Sequence, residues 1–287
     1  MPNPPNRVTR MGKRRLANIP VGSENPLNFA IQQRDKNALT LVNDAVAHGQ
    51  TLLAYQPVMR SDAMGKPAFY EGLIRVLDDT GRVIPAGQFI DAIEKTETGR
   101  AVDVLSLEHG LAALTETPGL RLALNMSARS IGYEPWKRTL DRALAIDPTI
   151  GPRLILEITE TSAMVMPELV IDFMDRLQPH GICFALDDFG AGHTAIRYFK
   201  DFYFDILKID GQFIRGIAHD ADNRALVGAL LSIARHFDML TVAEFVESHE
   251  DALVLADMGV DCLQGYYFAA PTTQPEWAAP PPREASA

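Results

Sequence analysis

Cysteine is scarce: of 287 residues only Cys183 and Cys262 are cysteines, each inside an apolar, strand-like run. Two thiols build neither a disulfide framework nor a zinc site, so both read as reduced core residues of a cytoplasmic protein. Long apolar runs are missing too. None approaches the ~20 residues that span a bilayer, and the longest, "ALVGALLSIARHF" at 225–237, ends in Arg and His and reads as a buried-face helix. No GxGxxG turn appears, which argues against an open dinucleotide-binding sheet. Positive charge is short, with a net charge of −10. What there is gathers early: Arg7, Arg10, Lys13, Arg14 and Arg15 face a single acid, Glu24, before residue 26. With no apolar h-region behind it, this stretch is not a secretory signal; residues 1–34 read as a basic, largely disordered tail leading into a helix. The rest carries about −14, a body that should not hold large nucleic acid by charge. An anionic ligand would have to be met by metal ions or a few focused Arg and Lys. Residues 279–287 read as a disordered Pro/Ala-rich tail.

What is present is regular. Short β-rich runs fall at 51–58, 69–76, 120–127, 153–160, 182–188, 205–210, 240–246 and 261–268. Helical spacing fills the intervals at 87–98, 102–115, 136–145, 167–178, 223–237 and 249–258, with another helix at 35–48 before the first strand. Strand and helix alternating eight times predict an α/β protein of the (β/α)8, or TIM-barrel, kind.

In such barrels the chemistry stands at the C-terminal strand ends. Those ends carry Glu71, Asn125, Glu157, Asp187 with Asp188, Lys208 with Asp210, Glu244 and Gln264. Residues two apart share a strand face: Ile155 with Glu157, Cys183 and Ala185 with Asp187, Ile206 with Lys208, Val242 with Glu244. Each polar group thus continues an inward column. Converging carboxylates repel and take up protons unless cations intervene. The donors are all oxygen, which suits Mg²⁺ or Mn²⁺ better than zinc. In "FALDDFGAG" (184–192) the small residues Gly190, Ala191 and Gly192 permit a tight turn that would swing Asp188 toward the mouth beside Asp187. Two carboxylates so placed could bridge a pair of metals, as two-metal phosphodiester hydrolysis requires.

At this point a family is visible. In order, the chain carries "YQPV" (55–58), "EGLIR" (71–75), "LNMS" (124–127), "EITET" (157–161), "DDFGAG" (187–192), "KID" (208–210), "VAEFVE" (242–247) and "QGYYF" (264–268). Across residues 50–271 it resembles the EAL-domain family of bacterial cyclic di-GMP phosphodiesterases, with 35–278 as the domain. The resemblance implies a modified TIM (β/α)8 barrel whose first strand is antiparallel, and Mg²⁺- or Mn²⁺-dependent hydrolysis of cyclic di-GMP to linear pGpG. It implies that Glu71, Asn125, Glu157 and Asp187 are metal ligands, with Asp188 on a second ion and Glu244 in the same cluster. Lys208 would position the nucleophilic water, Gln264 would lie near it, and Glu247 would be a supporting acid. Gln56 and Arg75 would contact guanine and phosphate; Leu73 and Asp210 are grouped with them as substrate contacts. Glu160 would steady the loop after "DDFG", a loop linked in the family to dimerisation, so a homodimer is expected.

The chain departs from the family pattern at four places. Gly72 replaces the alanine of "EAL", expected to loosen the strand by ~0.5–1 kcal/mol. Phe245 replaces a glycine beside Glu244, which could narrow the pocket. Ala191 and His193 alter the loop, and 89–99 looks two residues longer. None removes an acid or the lysine, but they motivate an alternative: a catalytically weak or inactive domain serving as a cyclic di-GMP receptor or interaction module. Lys208 with Asp210 also has a bland reading, a structural ion pair at the mouth. An enolase-like barrel is a more distant rival; it wants a separate capping domain that no stretch here could supply.

Overall fold

The computed structural model describes residues 26–190 and 200–278. The expectations for both tails, and for Ala191, Gly192 and His193, lie outside those residues. Strand β1 (Thr51–Arg60) turns directly into β2 (Ala63–Leu77), and the two pair antiparallel with Gln56 opposite Glu71 and Val58 opposite Phe69. A short flap, β3 (Val83–Pro85), pairs on the far edge of β2. Then come β4 (Leu122–Asn125), β5 (Leu154–Thr159), β6 (Cys183–Phe189), β7 (Ile206–Ile209), β8 (Leu240–Ala243) and β9 (Cys262–Leu263). The sheet runs β1-β9-β8-β7-β6-β5-β4-β2-β3, and the β1–β2 pairing closes it. Every pair from β2 round to β9 is parallel, whereas β1 is antiparallel to both its neighbours. This is the expected modified barrel.

The period-two pattern explains which residues face which core. One set of strand residues, Val58, Phe69, Ala123, Ile155, Ala185, Ile206, Val242 and Cys262, fills the barrel interior. The alternate set, including Leu122, Leu124, Leu154, Leu156, Ile158, Phe184, Leu186 and Leu207, packs outward against the helices. Those helices present matching stripes. In α4 (Glu134–Ile146) the buried residues are Trp136, Leu140 and Leu144, and in α6 (Pro167–Leu177) they are Val170, Phe173, Met174 and Leu177. Both series follow the helical repeat. Helix α8 (Ala221–His236) starts where the Asp220 carboxylate accepts from the Asp222 and Asn223 amides, an N-cap. Helix α9 (His249–Met258) ends on Gly259 at φ +85. Among the described residues no helix is long and apolar enough to cross a membrane.

Three local expectations need correction. The helix expected at 35–48 begins at Pro26 and runs to Ala47 as α1. Residues 30–34 of α1 are exposed, so no apolar period marked its start. The helix expected at 87–98 is broken: α2 (Ile90–Ile93) stops and α3 (Glu97–Glu116) begins anew. Thr96 does both jobs. Its hydroxyl donates to Ile93 O (2.7 Å) and accepts from Gly99 N (3.4 Å). At Gly99 a Cβ would meet Ile93 O at 2.6 Å, so only glycine lets the new helix start so close. Finally, a short helix α5 (Glu160–Val165) follows β5, capped by Thr159 Oγ1.

Candidate active site

Each interior column ends, one step beyond its last apolar residue, on a polar group. Phe69 is followed by Glu71, Ala123 by Asn125, Ile155 by Glu157, Ala185 by Asp187, Ile206 by Lys208, Val242 by Glu244 and Cys262 by Gln264. On β1 the order inverts, Gln56 coming before Val58, because that strand runs the other way. The polar layer is therefore continuous round one rim of the barrel.

At its centre lies Lys208, 1% exposed. Its Nζ is 2.8 Å from Glu157 Oε2, 2.9 Å from Asp187 Oδ1, 3.0 Å from Glu244 Oε1 and 3.7 Å from Glu71 Oε2. The lysine pairs with acids from four other strands or strand ends rather than with Asp210. Asp210 instead accepts from Gln212 N (2.8 Å) and caps the short helix α7 (Gly211–Ile214). Both oxygens of Glu71 take amide donors, Asn125 Nδ2 on Oε1 (2.6 Å) and Gln264 Nε2 on Oε2 (2.6 Å). Gln264 Nε2 also reaches Gln56 Oε1 (3.2 Å), and Gln56 Nε2 donates to Ala269 O (3.0 Å). Sequence reading gave no sign of this amide chain, whose partners lie up to 213 residues apart.

One ammonium does not balance four carboxylates. Burial pushes Glu157 well above the usual carboxylate range; Lys208 opposes it while the charges of Glu71 and Asp187 add to it. Glu244 is raised in the same way by burial, Asp187 and Glu71. Burial also works against Glu71, but Lys208, Gln264 and Asn125 outweigh it and hold that carboxyl below its ordinary value. Burial would depress Lys208, yet Asp187, Glu157, Glu244 and Glu71 keep it well above the usual lysine range. Among the described residues the clustered acids outnumber the one ammonium they share.

Asp188 joins this layer by a route the sequence reading misplaced. The chain kinks at Asp188 itself (φ +55), and β6 still runs on to Phe189, which pairs with Ile209 across a register irregularity. Gly190 (φ +95) comes only afterwards. One carboxylate oxygen from each of Asp187, Asp188 and Glu244 lies within 4.8 Å of the others. Burial, then the neighbouring Asp187, pushes the Asp188 carboxyl up to about 6.

The residues fit a divalent ion on two counts. Among the described residues Glu157 Oε1 and Glu244 Oε2 are buried with no hydrogen-bond partner, an arrangement costing ~1–3 kcal/mol per group unless something binds there. The donors are oxygens throughout, as Mg²⁺ and Mn²⁺ prefer.

The remaining expected residues are spread round the rim. Arg75 is buried, its Nη1 donates to Ile74 O (3.0 Å), and burial lowers its pKa against the pull of Glu71. No carboxylate among the described residues pairs with it. Leu73 stands between Glu71 and Arg75 on the same face, half-buried. Glu160 is 2% exposed, and its Oε2 accepts from Gly190 N (2.9 Å). From the other side Gln212 Nε2 donates to Gly190 O (2.8 Å), a tether not foreseen. Glu247 is not gathered into the acid cluster: it is exposed and pairs with Arg215 at 3.4 Å.

Gly72 does not leave a loose strand. A Cβ there would meet Leu124 Cδ2 at 2.8 Å, and one at Gly110 would meet Leu124 Cδ1 at 2.4 Å. The Leu124 side chain occupies the space that two glycines vacate. Phe245 stands directly beside Glu244, 45% exposed and at φ +54.

Known proteins match this frame. The family model described as the EAL domain matches residues 41–271. The chain is 28% identical over 265 residues to cyclic di-GMP phosphodiesterase PdeF of Escherichia coli, covering 89% of this chain and 35% of that protein. It is 30% identical over 234 residues to cyclic di-GMP phosphodiesterase PdeB of Shewanella oneidensis, covering 80% of this chain and 27% of that one. It thus spans about a third of the length of these relatives. Among solved structures, the PaMucR phosphodiesterase in complex with c-di-GMP superposes with a TM-score of 0.71 at 28% identity, over 82% of this chain and 97% of that one. A barrel with one reversed strand, an acid-and-lysine rim and a match over four-fifths of the sequence lead to one assignment: the chain belongs to the EAL-domain family.

Proposed function

We propose that this domain hydrolyses one phosphodiester of cyclic di-GMP to linear pGpG, with two Mg²⁺ or Mn²⁺ ions held at the barrel rim. The observation that carries the reading is the set Glu71, Glu157, Asp187 and Glu244 converging on Lys208, with unpartnered oxygens on Glu157 and Glu244. Asn125 and Asp188 complete the oxygen donors. Bound there, divalent cations would supply an activated water and neutralise the phosphate.

The chain's own residues do the rest. Lys208, locked among the acids, keeps Glu157, Asp187 and Glu244 in register and orients the attacking water. Among the described residues no carboxylate pairs with Arg75, which leaves it to meet a phosphate oxygen and reconciles an acidic protein with an anionic ligand. The water oxygen forms a bond to phosphorus, the bond from phosphorus to the ribose 3′-oxygen breaks, and the proton given up by the water ends on that leaving oxygen. Glu160 and Gln212, holding Gly190 from either side, fix the turn that presents Asp188.

A second reading, a receptor that binds cyclic di-GMP without turnover, is favoured by Phe245 standing beside Glu244. Incubating the purified protein with cyclic di-GMP and Mg²⁺ or Mn²⁺, and separating products by chromatography, decides between them. Metal-dependent pGpG that disappears in Glu71→Ala supports the enzyme; calorimetric binding without product supports the receptor.

A further inference from the structure

Beside the acid cluster stands an aromatic–cationic pair that the proposed chemistry leaves unused. Phe245 follows Glu244 directly and adopts φ +54, a conformation that disfavours any side chain with a Cβ and above all a bulky one. Burial does not explain it, since the residue is 45% exposed. Strain of this kind persists where neighbours enforce it, and it concentrates at ligand sites. Two neighbours receive the ring here. Gly211, just past β7, leaves room for the ring: a Cβ on that residue would lie 2.5 Å from Phe245 Cδ2. On the ring lies the Arg215 guanidinium, 4.3 Å from the centroid.

Arg215 is held a second time. Its Nε donates to Glu247 Oε1 at 3.4 Å, while among the described residues its two terminal nitrogens have no partner. Stacking on an aromatic face and an edge contact to a carboxylate fix the plane of a guanidinium. What is left is a flat pair of donors, on a side chain 52% exposed, beside the end of β8 that carries Glu244. Two parallel donors match the O6 and N7 acceptors of guanine, and a phosphate seated at the acids puts its own nucleoside's base within reach of the rim.

We propose that Arg215, positioned by Phe245 and Glu247, reads the O6/N7 edge of one guanine of the bound cyclic dinucleotide. The inference rests on cyclic di-GMP being the ligand and adds a specificity-determining residue to that site.

The test is a binding titration with Ca²⁺ in place of Mg²⁺ or Mn²⁺, a larger ion that meets the acids without their tight octahedral geometry, using cyclic di-GMP and its 7-deazaguanine analogue, which lacks the N7 acceptor; chromatography confirms that neither ligand turns over. The wild-type protein is expected to bind the parent about fivefold or more tightly than the analogue, and Arg215→Ala to lose most of that preference, with a ratio near one. Phe245→Gly is expected to weaken the preference partway, and Phe245→Tyr to restore it. Both positions are exposed, and a thermal melt confirms folding of each variant. An equal ratio in wild type and Arg215→Ala overturns the inference, as does an equal loss of affinity for both ligands, which would mark Arg215 as a phosphate contact. If the wild-type protein binds neither ligand, the cyclic di-GMP reading itself fails, a separate outcome.

Discussion

Two layers of the same barrel interior stand one side-chain step apart and behave as opposites. The lower layer, from Val58 and Phe69 round to Cys262, is apolar and closes the barrel as a packed core. The upper layer, from Gln56 and Glu71 round to Gln264, is polar, buried and under-neutralised. Backbone, strand and burial are shared, so only the side chain at every second residue separates structure from chemistry. The lower layer supplies hydrophobic stabilisation, and the upper layer draws on it to keep charges together that would otherwise separate.

The largest expected effect comes from breaking the upper layer at its centre. Lys208→Met should cut pGpG formation at least ~100-fold and, by leaving the acids without their cation, destabilise the protein by ~3 kcal/mol in chelator. Steady-state turnover and urea melts with and without Mg²⁺ measure both, and added Mg²⁺ should recover part of the stability but none of the rate. Next come two substitutions one step apart on β5. Ile155→Ala should cost ~2–4 kcal/mol of stability and leave turnover per folded molecule nearly unchanged. Glu157→Gln should abolish turnover with a far smaller change in melting. If Ile155→Ala behaved like Glu157→Gln, the division into layers would fail.

A smaller effect is expected at Asp103 on α3. Its Oδ2 accepts from Ser127 N (3.1 Å) and from the Ser130 hydroxyl, just beyond Asn125. Burial pushes this carboxyl from 3.8 up to about 7, against those hydrogen bonds. Between these values the folded protein keeps a proton that the unfolded chain releases. Stability contributed here is therefore present at low pH and lost as pH rises from about 4 to 7, amounting to at most a few kcal/mol. Urea melts from pH 5 to 8 should show that slope shallower in Asp103→Asn. The smallest effect belongs to Gly72→Ala. Its Cβ would press on Leu124 Cδ2, the mobile end of a side chain, so stability should shift by no more than ~1 kcal/mol, with turnover unchanged.

Much of this was legible in the sequence because the signal has period two. The columns ending in Glu157, Asp187, Lys208 and Glu244 could be read from alternation alone, and the barrel from the count of strands. What stayed hidden depends on contacts across the chain. Glu157 and Lys208 are 51 residues apart, so the lysine's role as the common partner of four acids has no local mark. The kink at Asp188 was assigned to the glycines after it because an aspartate at positive φ leaves no compositional trace. The break at Thr96 turns on one hydroxyl serving two helices, and the filling of Gly72 by Leu124 turns on a second glycine, Gly110, in another element.

The most direct trial is a Mn²⁺ titration followed by electron paramagnetic resonance on the wild-type protein and on a variant carrying Asp187→Asn and Glu244→Gln, with cyclic di-GMP present. Two Mn²⁺ ions per chain in the wild type, and loss of at least one in the variant, are expected. No Mn²⁺ bound to the wild type, or identical binding in the variant, would mean that the acids at the rim serve Lys208 alone and that the metal-dependent reading is wrong.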